Sequence, residues 1–474
     1  MTAAGRLELT HWIGGRRVAA HDGTIEVADP ATGRVVTAVP AGDAGTVDAA
    51  VRAAQDAFRE WSATPLAERV AAVRRISAAL KERADDIATS ITTEMGAPIV
   101  FSRKVQARMP VASSRTVAEL AETFPWEEEI GNSLVVKEPI GVVAAITPWN
   151  YPLHQIVAKV APAVLAGNTV VLKPSEVAPR TAAILAEAVA EAGVPAGVYN
   201  VVYGTGPVVG EALAAHPGVD MVSFTGSTRA GKRVSVVAAE TVKRVALELG
   251  GKSANVVLES ADLAVAVETG LGAAWQNGGQ SCNAWTRMLV PAAKQAEIVE
   301  MLVAAAATYV VGDPVDEKTQ IGPMSSAAQR DRVAGYLERG IADGAKLVFG
   351  GPESLEDLKP GAYVKPSIFT GVAPDSELAQ EEVFGPVLAV IPYTSEDEAV
   401  EVANSTIYGL AGAVFGEDEH ALSVARRLRT GQVDVNGAKF NMLAPFGGYR
   451  QSGNGRELGR YGLEEFLETK SIQR

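Results

Sequence analysis

The 474-residue sequence predicts an α/β protein of at least two domains, and three observations support this prediction. The chain is too long to form one hydrophobic core. Hydrophobic residues make up 47% of it and charged residues 21%, which is typical of globular proteins and unlike disordered chains. From Gly141 onwards, short β-like runs alternate with helical runs. This alternation indicates βαβ units that surround a buried parallel sheet.

Helical spacing of apolar residues predicts one helix over 47–61 and a second from about 66 to 94. Four strand and helix pairs follow. The predicted strands are 142–146, 169–172, 199–203 and 221–224, and the helices begin near 153 and span 181–192, 207–215 and 229–239. Ligands of parallel sheets bind at the carboxyl ends of the strands, so the polar segments after these strands are expected to form a site.

A second series follows Gly251, and we place a domain boundary near residues 250–251. Its predicted strands are 255–258, 288–290, 346–349, 388–392, 413–415 and 433–435, with helices at 292–307 and 418–428. Two segments stand outside both series. Residues 127–136 resemble a strand pair, and the tail 464–474 could pair with another strand or with a second subunit.

Composition excludes several functions. A formal charge of −13 argues against binding to nucleic acid or to an anionic membrane. No uncharged apolar run reaches the roughly 20 residues of a membrane span, and the N-terminus lacks a signal-peptide core. The five histidines, His21 among them, are scattered, so no metal site is expected. With a single cysteine and no disulfide, the protein is predicted to be cytoplasmic.

That single cysteine, Cys282, is the strongest chemical signal. It follows Gly278, Gly279, Gln280 and Ser281, and the glycines allow the backbone to bend closely around a small reactive group. A catalytic nucleophile is one interpretation. A buried small hydrophobic residue is the alternative, because free cysteine is among the most buried residue types.

Two further segments suit catalysis. Pro148 and Pro152 bracket Asn150, whose amide could donate to a developing oxyanion; the alternative is a turn asparagine. Glu248 lies among apolar residues before Gly250. Burial would raise the pKa of its carboxyl towards neutrality, as suits a general base, and the alternative is a charge at a strand end.

Cofactor chemistry is suggested by polar groups after two of the strands. Lys173 and Glu176 could bind a ribose, and an acid there disfavours a 2′-phosphate, so NAD is preferred over NADP. The segment 224–228 opens a helix, whose N-terminus could hold a pyrophosphate. The glycine-rich run 204–210 departs from the dinucleotide fingerprint and is interpreted as a tight turn.

The segment 381–386 joins two acids to an aromatic residue. Its acid could bind a second ribose, and the aromatic ring could pack behind a nicotinamide. A solvated polar turn is the alternative for this segment, as it is for 173–176.

Taken in order, seven motifs spread over nearly the whole chain resemble the NAD(P)-dependent aldehyde dehydrogenases. They are Pro-Trp-Asn (148–150), Lys-Pro-Ser-Glu (173–176), Phe-Thr-Gly-Ser-Thr (224–228), Glu-Leu-Gly-Gly-Lys (248–252), Gly-Gln-Ser-Cys (279–282), Glu-Glu-Val-Phe-Gly-Pro (381–386) and Pro-Phe-Gly-Gly-Tyr-Arg-Gln-Ser-Gly (445–453). The resemblance implies oxidation of an aldehyde to a carboxylic acid through a thiohemiacetal and a thioester on Cys282. It also implies that the thiol pKa is lowered by its surroundings.

The resemblance assigns residues to three roles. The catalytic set is Cys282, Glu248, Asn150 and Lys173. The cofactor set is Thr147, Pro148, Trp149, Lys173, Ser175, Glu176, Gly206, Phe224, Gly226, Ser227, Leu249, Gly250, Glu382 and Phe384, for NAD with NADP as the alternative. The aldehyde is expected to contact Tyr151, Ser281, Asn283, Phe440 and Phe446, with Trp285 as a further lining residue or a core aromatic. No arginine is placed to hold a substrate carboxylate.

The fold implied by the resemblance is a Rossmann-type cofactor-binding domain, an α/β catalytic domain and a β oligomerisation segment. Residues 1–120 and 138–251 would form the first, 252–447 the second, and 121–137 with 448–474 the third, in a homodimer or homotetramer. Three alternatives stay open. They are a dehydrogenase that transfers the acyl group to coenzyme A, a cysteine esterase, and a catalytically silent structural protein on the same scaffold.

Overall fold

Four β-sheets and the helices packed on them make up the fold in the computed structural model, which describes residues 6–19, 23–353 and 355–474. The strands are β1 Leu7–Glu8, β2 His11–Ile13, β3 Arg16–Val18, β4 Thr24–Ala28, β5 Val35–Pro40, β6 Glu127–Ile130, β7 Ser133–Pro139, β8 Val142–Ile146, β9 Thr169–Lys173, β10 Tyr199–Val201, β11 Met221–Thr225, β12 Arg244–Glu248, β13 Ala254–Val257, β14 Arg287–Pro291, β15 Lys346–Phe349, β16 Ser367–Thr370, β17 Val387–Tyr393, β18 Gly412–Phe415, β19 Asp434–Val435, β20 Gly453–Asn454 and β21 Leu467–Gln473.

The α-helices lie between these strands. They are α1 Ala44–Ala63, α2 Leu66–Glu82, α3 Ala84–Met95, α4 Ile99–Phe101, α5 Arg108–Leu120, α6 Pro152–Ala166, α7 Arg180–Glu191, α8 Glu211–Ala215, α9 Thr228–Ala238, α10 Leu263–Trp275, α11 Gln295–Ala306, α12 Ala327–Ala342, α13 Glu377–Gln380, α14 Glu396–Asn404, α15 Asp418–Ala425 and α16 Gly459–Glu464.

The first large sheet has eight strands in the order β20-β12-β11-β8-β9-β10-β2-β3. Its five central strands, β12 to β10 in this order, are parallel, and antiparallel strands close both edges. The residues of β8, β9 and β11 are all buried, as expected for strands covered on both faces. Their carboxyl ends therefore meet along one edge of the sheet.

A second large sheet has seven strands in the order β15-β16-β17-β14-β13-β18-β19. All of its pairings are parallel except that of β15 with β16. The chain passes from the first sheet to the second between Glu248 and Ala254. A short glycine-containing segment thus joins the carboxyl-end edge of the first sheet to the amino-end edge of the second, and a site between the sheets can form there.

Two three-stranded sheets complete the topology. One is β1-β5-β4, and the other is the antiparallel sheet β21-β7-β6. The predicted strand pair at 127–136 is confirmed as β6 and β7. The C-terminal tail forms β21, which pairs with β7 of the same chain. Of the two predicted alternatives, this is pairing with another strand of the chain.

The predicted alternation from residue 141 is confirmed, and the differences have local causes. The predicted helix 66–94 is two helices, because the chain turns at Arg83. The glycine-rich run at 204–210 is not a tight turn. Gly206–Gly210 forms one π-helical turn with Pro207 in its first turn, and it continues directly into α8.

Within the described residues, no helix is both long and apolar enough to cross a membrane. The core is built from several buried apolar clusters, and the largest covers one face of the eight-stranded sheet. A small apolar cluster lies next to the single cysteine. Ala158, Leu410, Phe446 and Leu458 are buried together, and Cys282 packs against them.

Candidate active site

The turn before Cys282 has a backbone shape that glycine makes accessible. Asn277, Gly278 and Gly279 have φ angles of 58°, 66° and 71°, in the left-handed region. A Cβ atom built on Gly279 would lie 2.0 Å from the carbonyl oxygen of Gly385, so a side chain cannot be accommodated there. The turn is therefore fixed closely against the 381–386 segment that sequence analysis singled out.

Asn150 is held next to this turn by two hydrogen bonds. Its side-chain Nδ2 donates to the backbone carbonyl oxygen of Gln280 over 3.0 Å, and its backbone carbonyl oxygen accepts from Nδ2 of Asn277 over 2.9 Å. Asn150 is buried, yet it lines a cavity together with Cys282. The primary amide has a second N–H that these contacts do not use, and it is available to an oxyanion.

Cys282 lies between two cavities. One, of 170 Å³, is bordered by the segments 148–150, 225–227 and 249–250 and by the side chains of Glu382 and Phe384. The other, of 760 Å³, lies towards α6 and the segment 437–442. Cys282 lines both cavities, and so does Gln155. The sulfur-bearing residue is thus half-buried and accessible from two sides, which suits a nucleophile that reacts with one molecule while another binds opposite.

The electrostatic surroundings of the thiol differ from the expectation. Burial raises the pKa of Cys282 above its ordinary value, and the carboxyl groups of Glu382, Glu248 and Glu457 raise it further. The prediction of a lowered thiol pKa is therefore wrong for the chain by itself. The acidic residues that folding brings close to the thiol oppose its ionisation, and a backbone hydrogen bond offsets only part of this effect.

Glu248 ends β12 and is buried, as its apolar neighbours predicted. Burial raises the pKa of its carboxyl well above the usual range, and Glu457 raises it further. Neither carboxyl oxygen has a hydrogen-bond partner among the described residues. The side chain does not line either cavity at Cys282 and instead borders a small gap of 10 Å³ beside Lys159 and Glu457.

Lys159 and Glu457 form a buried ion pair behind Glu248. Lys159 belongs to α6, and Glu457 is fixed by backbone hydrogen bonds in both directions with Phe446. The two residues of this ion pair are 298 positions apart in the sequence. Sequence analysis missed it because no local pattern links the two residues.

The smaller cavity has a geometry that fits the predicted nicotinamide end of a dinucleotide. The rings of Trp149 and Phe384 meet edge to face, with centroids 5.4 Å apart. One carboxyl oxygen of Glu382 accepts from the backbone N–H of Gly251 over 3.0 Å, and burial raises the pKa of this carboxyl to about 7. A Cβ on Gly250 would lie 2.4 Å from Glu382, so this glycine leaves the space that the acid occupies.

Four residues that line this cavity are absent from the predicted site residues: Gln155, Thr225, Gln329 and Arg332. Gln329 and Arg332 lie on α12 and donate to the carbonyl oxygens of Phe384 and Glu382, over 2.8 and 2.7 Å. They hold a backbone in which Phe384 has a φ of 61°, an uncommon value for a residue other than glycine. Gln329 and Arg332 lie on a helix that contains no recognisable motif, so the sequence alone does not mark them as site residues.

The remaining predicted cofactor residues lie along the edge of the eight-stranded sheet. Ser227 caps α9 by accepting from the N–H of Ala230, and it lines the smaller cavity. Lys173 ends β9 and forms a 2.7 Å ion pair with Glu176. The structure does not bring the following predicted residues into the cavity at Cys282: Thr147, Lys173, Ser175, Glu176, Gly206 and Phe224.

All the predicted aldehyde contacts line the larger cavity. These residues are Tyr151, Ser281, Asn283, Trp285, Phe440 and Phe446. Tyr151 and Ser281 share a hydrogen bond, and Gln276 donates to the hydroxyl of Tyr151 over 3.1 Å. Burial raises the pKa of Tyr151 to about 12, so the phenol stays neutral at physiological pH.

A metal site is not built from the described residues, which contain no group of three or more His, Cys, Asp or Glu side chains that could hold an ion. His21 lies outside them. His154, which lines the larger cavity, is buried, and this burial lowers its pKa to about 4. It is therefore a neutral imidazole in that wall.

Comparison with known proteins agrees with this geometry. The model of the aldehyde dehydrogenase family matches residues 18–472. The chain is 50% identical over 449 residues to 3-succinoylsemialdehyde-pyridine dehydrogenase of a Pseudomonas species, which covers 94% of each protein. The chain belongs to the aldehyde dehydrogenase family.

Solved structures show the same fold. A cysteine-to-alanine variant of aldehyde dehydrogenase C from Pseudomonas syringae, in complex with NAD⁺ and octanal, superposes with a TM-score of 0.97 at 48% identity, covering 98% of this chain and 96% of that one. An aldehyde dehydrogenase of Mycobacterium tuberculosis complexed with NAD⁺ has a TM-score of 0.96 at 41% identity, covering 99% of each chain.

Proposed function

We propose that this protein is an NAD-dependent aldehyde dehydrogenase that releases a carboxylic acid, with Cys282 as its nucleophile. The observation that carries the proposal is the position of Cys282 between two cavities, one suited to a nicotinamide and one to an aldehyde. Membership of the aldehyde dehydrogenase family supports the reaction class. The NAD⁺ complexes of related enzymes support the cofactor.

The residues of the smaller cavity and of the adjacent sheet edge would hold NAD. Glu382 would accept from the nicotinamide ribose and Phe384 would pack on the ring, while Ser227 at the N-terminus of α9 would bind the pyrophosphate. Lys173 and Glu176 would bind the adenosine ribose. We assign Lys173 to this binding role, because it is paired with Glu176 and does not line the cavities at Cys282.

In the first half of the reaction, the thiol proton of Cys282 passes to solvent water, and the sulfur then forms a bond to the aldehyde carbon. The carbonyl oxygen becomes an oxyanion, which the free N–H of Asn150 and the backbone N–H of Cys282 stabilise. When bound, NAD supplies a positively charged ring that accepts a hydride. Loss of that hydride from the captured carbon leaves a thioester on Cys282.

In the second half, Glu248 activates water for attack on the thioester. Its carboxylate takes the water proton, the carbon–sulfur bond breaks, and the acid leaves with Cys282 regenerated. The carboxyl group must swing from its gap beside Lys159 to reach the cysteine. No hydrogen bond among the described residues holds either oxygen in that gap, so the rotation breaks no such contact.

The proposal is tested by incubating the purified protein with NAD and a panel of aliphatic, aromatic and charged aldehydes, octanal included. NADH formation with one equivalent of carboxylic acid is expected. The same reaction with coenzyme A present separates the alternatives, because an acyl-transferring enzyme would produce the coenzyme A thioester. A higher kcat/KM with NADP than with NAD would contradict the assignment of Glu176.

Assembly and location belong to the same proposal. We propose a cytoplasmic homodimer or homotetramer, supported by the sheet β21-β7-β6, in which every residue of β6 is exposed. Ile130 in that strand is 56% exposed, and an exposed apolar side chain on an edge strand is a surface that a second subunit could cover. Light scattering after gel filtration should give a multiple of 49.4 kDa, and a monomer would contradict this part.

A further inference from the structure

Asp434 places a carboxylate in the wall of the larger cavity. It begins the short edge strand β19 and is one of the residues that line the 760 Å³ cavity, as Cys282 is. Its two oxygens accept from the same amide nitrogen, Nε2 of Gln432, over 3.0 and 3.3 Å. No ion pair to Asp434 is formed within the described residues, so its remaining lone pairs are available to a ligand.

None of the other charged groups that line the cavity forms an ion pair with Asp434 within the described residues. Glu457 is paired with Lys159, and His154 is neutral. Lys104 and Lys439 also line the cavity but are exposed to solvent, and neither forms an ion pair within the described part of the chain.

The pKa of Asp434 reflects the same surroundings. Burial raises it, the hydrogen bond from Gln432 lowers it, and no basic side chain of the described ranges contributes. A cation that approaches the carboxylate of Asp434 stabilises it, because a partly desolvated carboxylate has lost some of its hydration.

Aromatic rings line the same space. Phe440 and Phe446 meet edge to face with centroids 6.2 Å apart, and both line the cavity. Phe440 is 42% exposed, so part of its ring is available for contact. A carboxylate together with aromatic faces is the combination that favours an organic cation.

We propose that Asp434 is a specificity-determining residue, which favours aldehydes that carry a cationic group, such as a protonated amine, at the end remote from the carbonyl. This inference rests on the proposed oxidation of aldehydes at Cys282. A distal carboxylate would meet Asp434 with charge repulsion, and a neutral chain would gain nothing from it.

The test compares three series of straight-chain aldehydes of matched length, which end in an amine, a methyl group or a carboxylate. The amine series is expected to have the highest kcat/KM at its best chain length. In Asp434→Asn, which keeps an acceptor for Gln432, the ratio of amine to methyl kcat/KM should fall about tenfold at that length. The ratio of carboxylate to methyl should rise.

Two further variants test whether the preference for the amine series comes from direct contact with Asp434. Asp434→Glu keeps the charge and should retain a preference for the amine series, shifted in chain length. Lys439→Gln removes one positive charge from the cavity at an exposed position. If direct contact with Asp434 sets the preference, and not the overall charge of the cavity, this variant should change the amine to methyl ratio of kcat/KM by less than about threefold.

The outcomes distinguish this inference from the proposed function. Turnover of the methyl series with an unchanged amine to methyl ratio in Asp434→Asn would overturn the role of Asp434 and leave the dehydrogenase intact. Absence of NADH formation with all three series in the wild-type protein would overturn the proposed function, and the inference with it.

Discussion

The hydroxyl oxygens of Tyr151 and Ser281 lie 2.7 Å apart in a buried contact. Tyr151 directly follows Asn150, and Ser281 directly precedes Cys282. One side-chain hydrogen bond therefore joins the segment of the proposed oxyanion donor to the segment of the proposed nucleophile. The relative position of the two reactive groups depends on this hydrogen bond together with those that Asn150 forms with Gln280 and Asn277.

Replacement of this phenol tests that dependence. In Tyr151→Phe, we expect kcat/KM for a neutral aldehyde to fall about tenfold, because loss of one buried hydrogen bond loosens the two segments. Ser281→Ala should give a similar loss, and the double variant should be no worse than either single one. Additive losses in this double-mutant cycle would show that the two residues act independently.

Gly279 tests the close approach of the turn to the 381–386 segment. In Gly279→Ala, the new Cβ would overlap the carbonyl oxygen of Gly385 at 2.0 Å, so we expect a loss of about 2–4 kcal/mol in unfolding free energy. Gly344→Ala is the matched control, because Gly344 also has a positive φ, but no described atom lies within 4 Å of the place that its new Cβ would take. It should lose about 1 kcal/mol. Equal losses in thermal unfolding would contradict the proposed overlap.

The pH dependence of thioester hydrolysis tests Glu248. Its pKa is raised, so the carboxyl remains protonated at pH values where an ordinary glutamic acid is already ionised. Only the carboxylate accepts a proton from water, so the single-turnover hydrolysis rate should rise with pH through that raised pKa. Glu248→Gln should hydrolyse the thioester slowly, without this rise. The same pH profile in the variant would mean that another base acts.

Replacement of Arg332 tests whether its hydrogen bond to the backbone of Glu382 contributes to NAD binding. In Arg332→Ala, the carbonyl oxygen of Glu382 loses its hydrogen bond, and the KM for NAD should increase about tenfold. Arg330→Ala on the same helix is the control, because that guanidinium pairs with the neighbouring Asp331 on the exposed side. Its KM for NAD should stay within about threefold of the wild type. An equal increase in both variants would point to a general effect on α12.

Sequence analysis predicted the buried strands best. The residues of β8, β9 and β11 form continuous apolar runs, because helices cover both faces of that sheet. It missed β12, whose five residues begin and end with charged side chains. It also missed α10, because apolar residues on all sides leave no helical periodicity.

The candidate site was predictable where a motif is local, and not where folding joins distant segments. Asn150, Glu248 and Cys282 each carry a recognisable neighbourhood. By contrast, Arg332 and Asp434 reach the cavities only through tertiary packing, and nothing in their own segments marks them. The direction of the Cys282 pKa was wrong for the same reason, since the acids that surround the thiol come from three separate segments.

The identity of the covalently modified residue tests the central claim most directly. The protein should be mixed with NAD and an aldehyde, quenched with acid within one turnover, and analysed by peptide mass spectrometry. We expect an acyl group on the peptide that contains Cys282, and neither this adduct nor NADH formation in Cys282→Ala. Full NADH formation by Cys282→Ala, or an acyl group on a different peptide, would contradict the account.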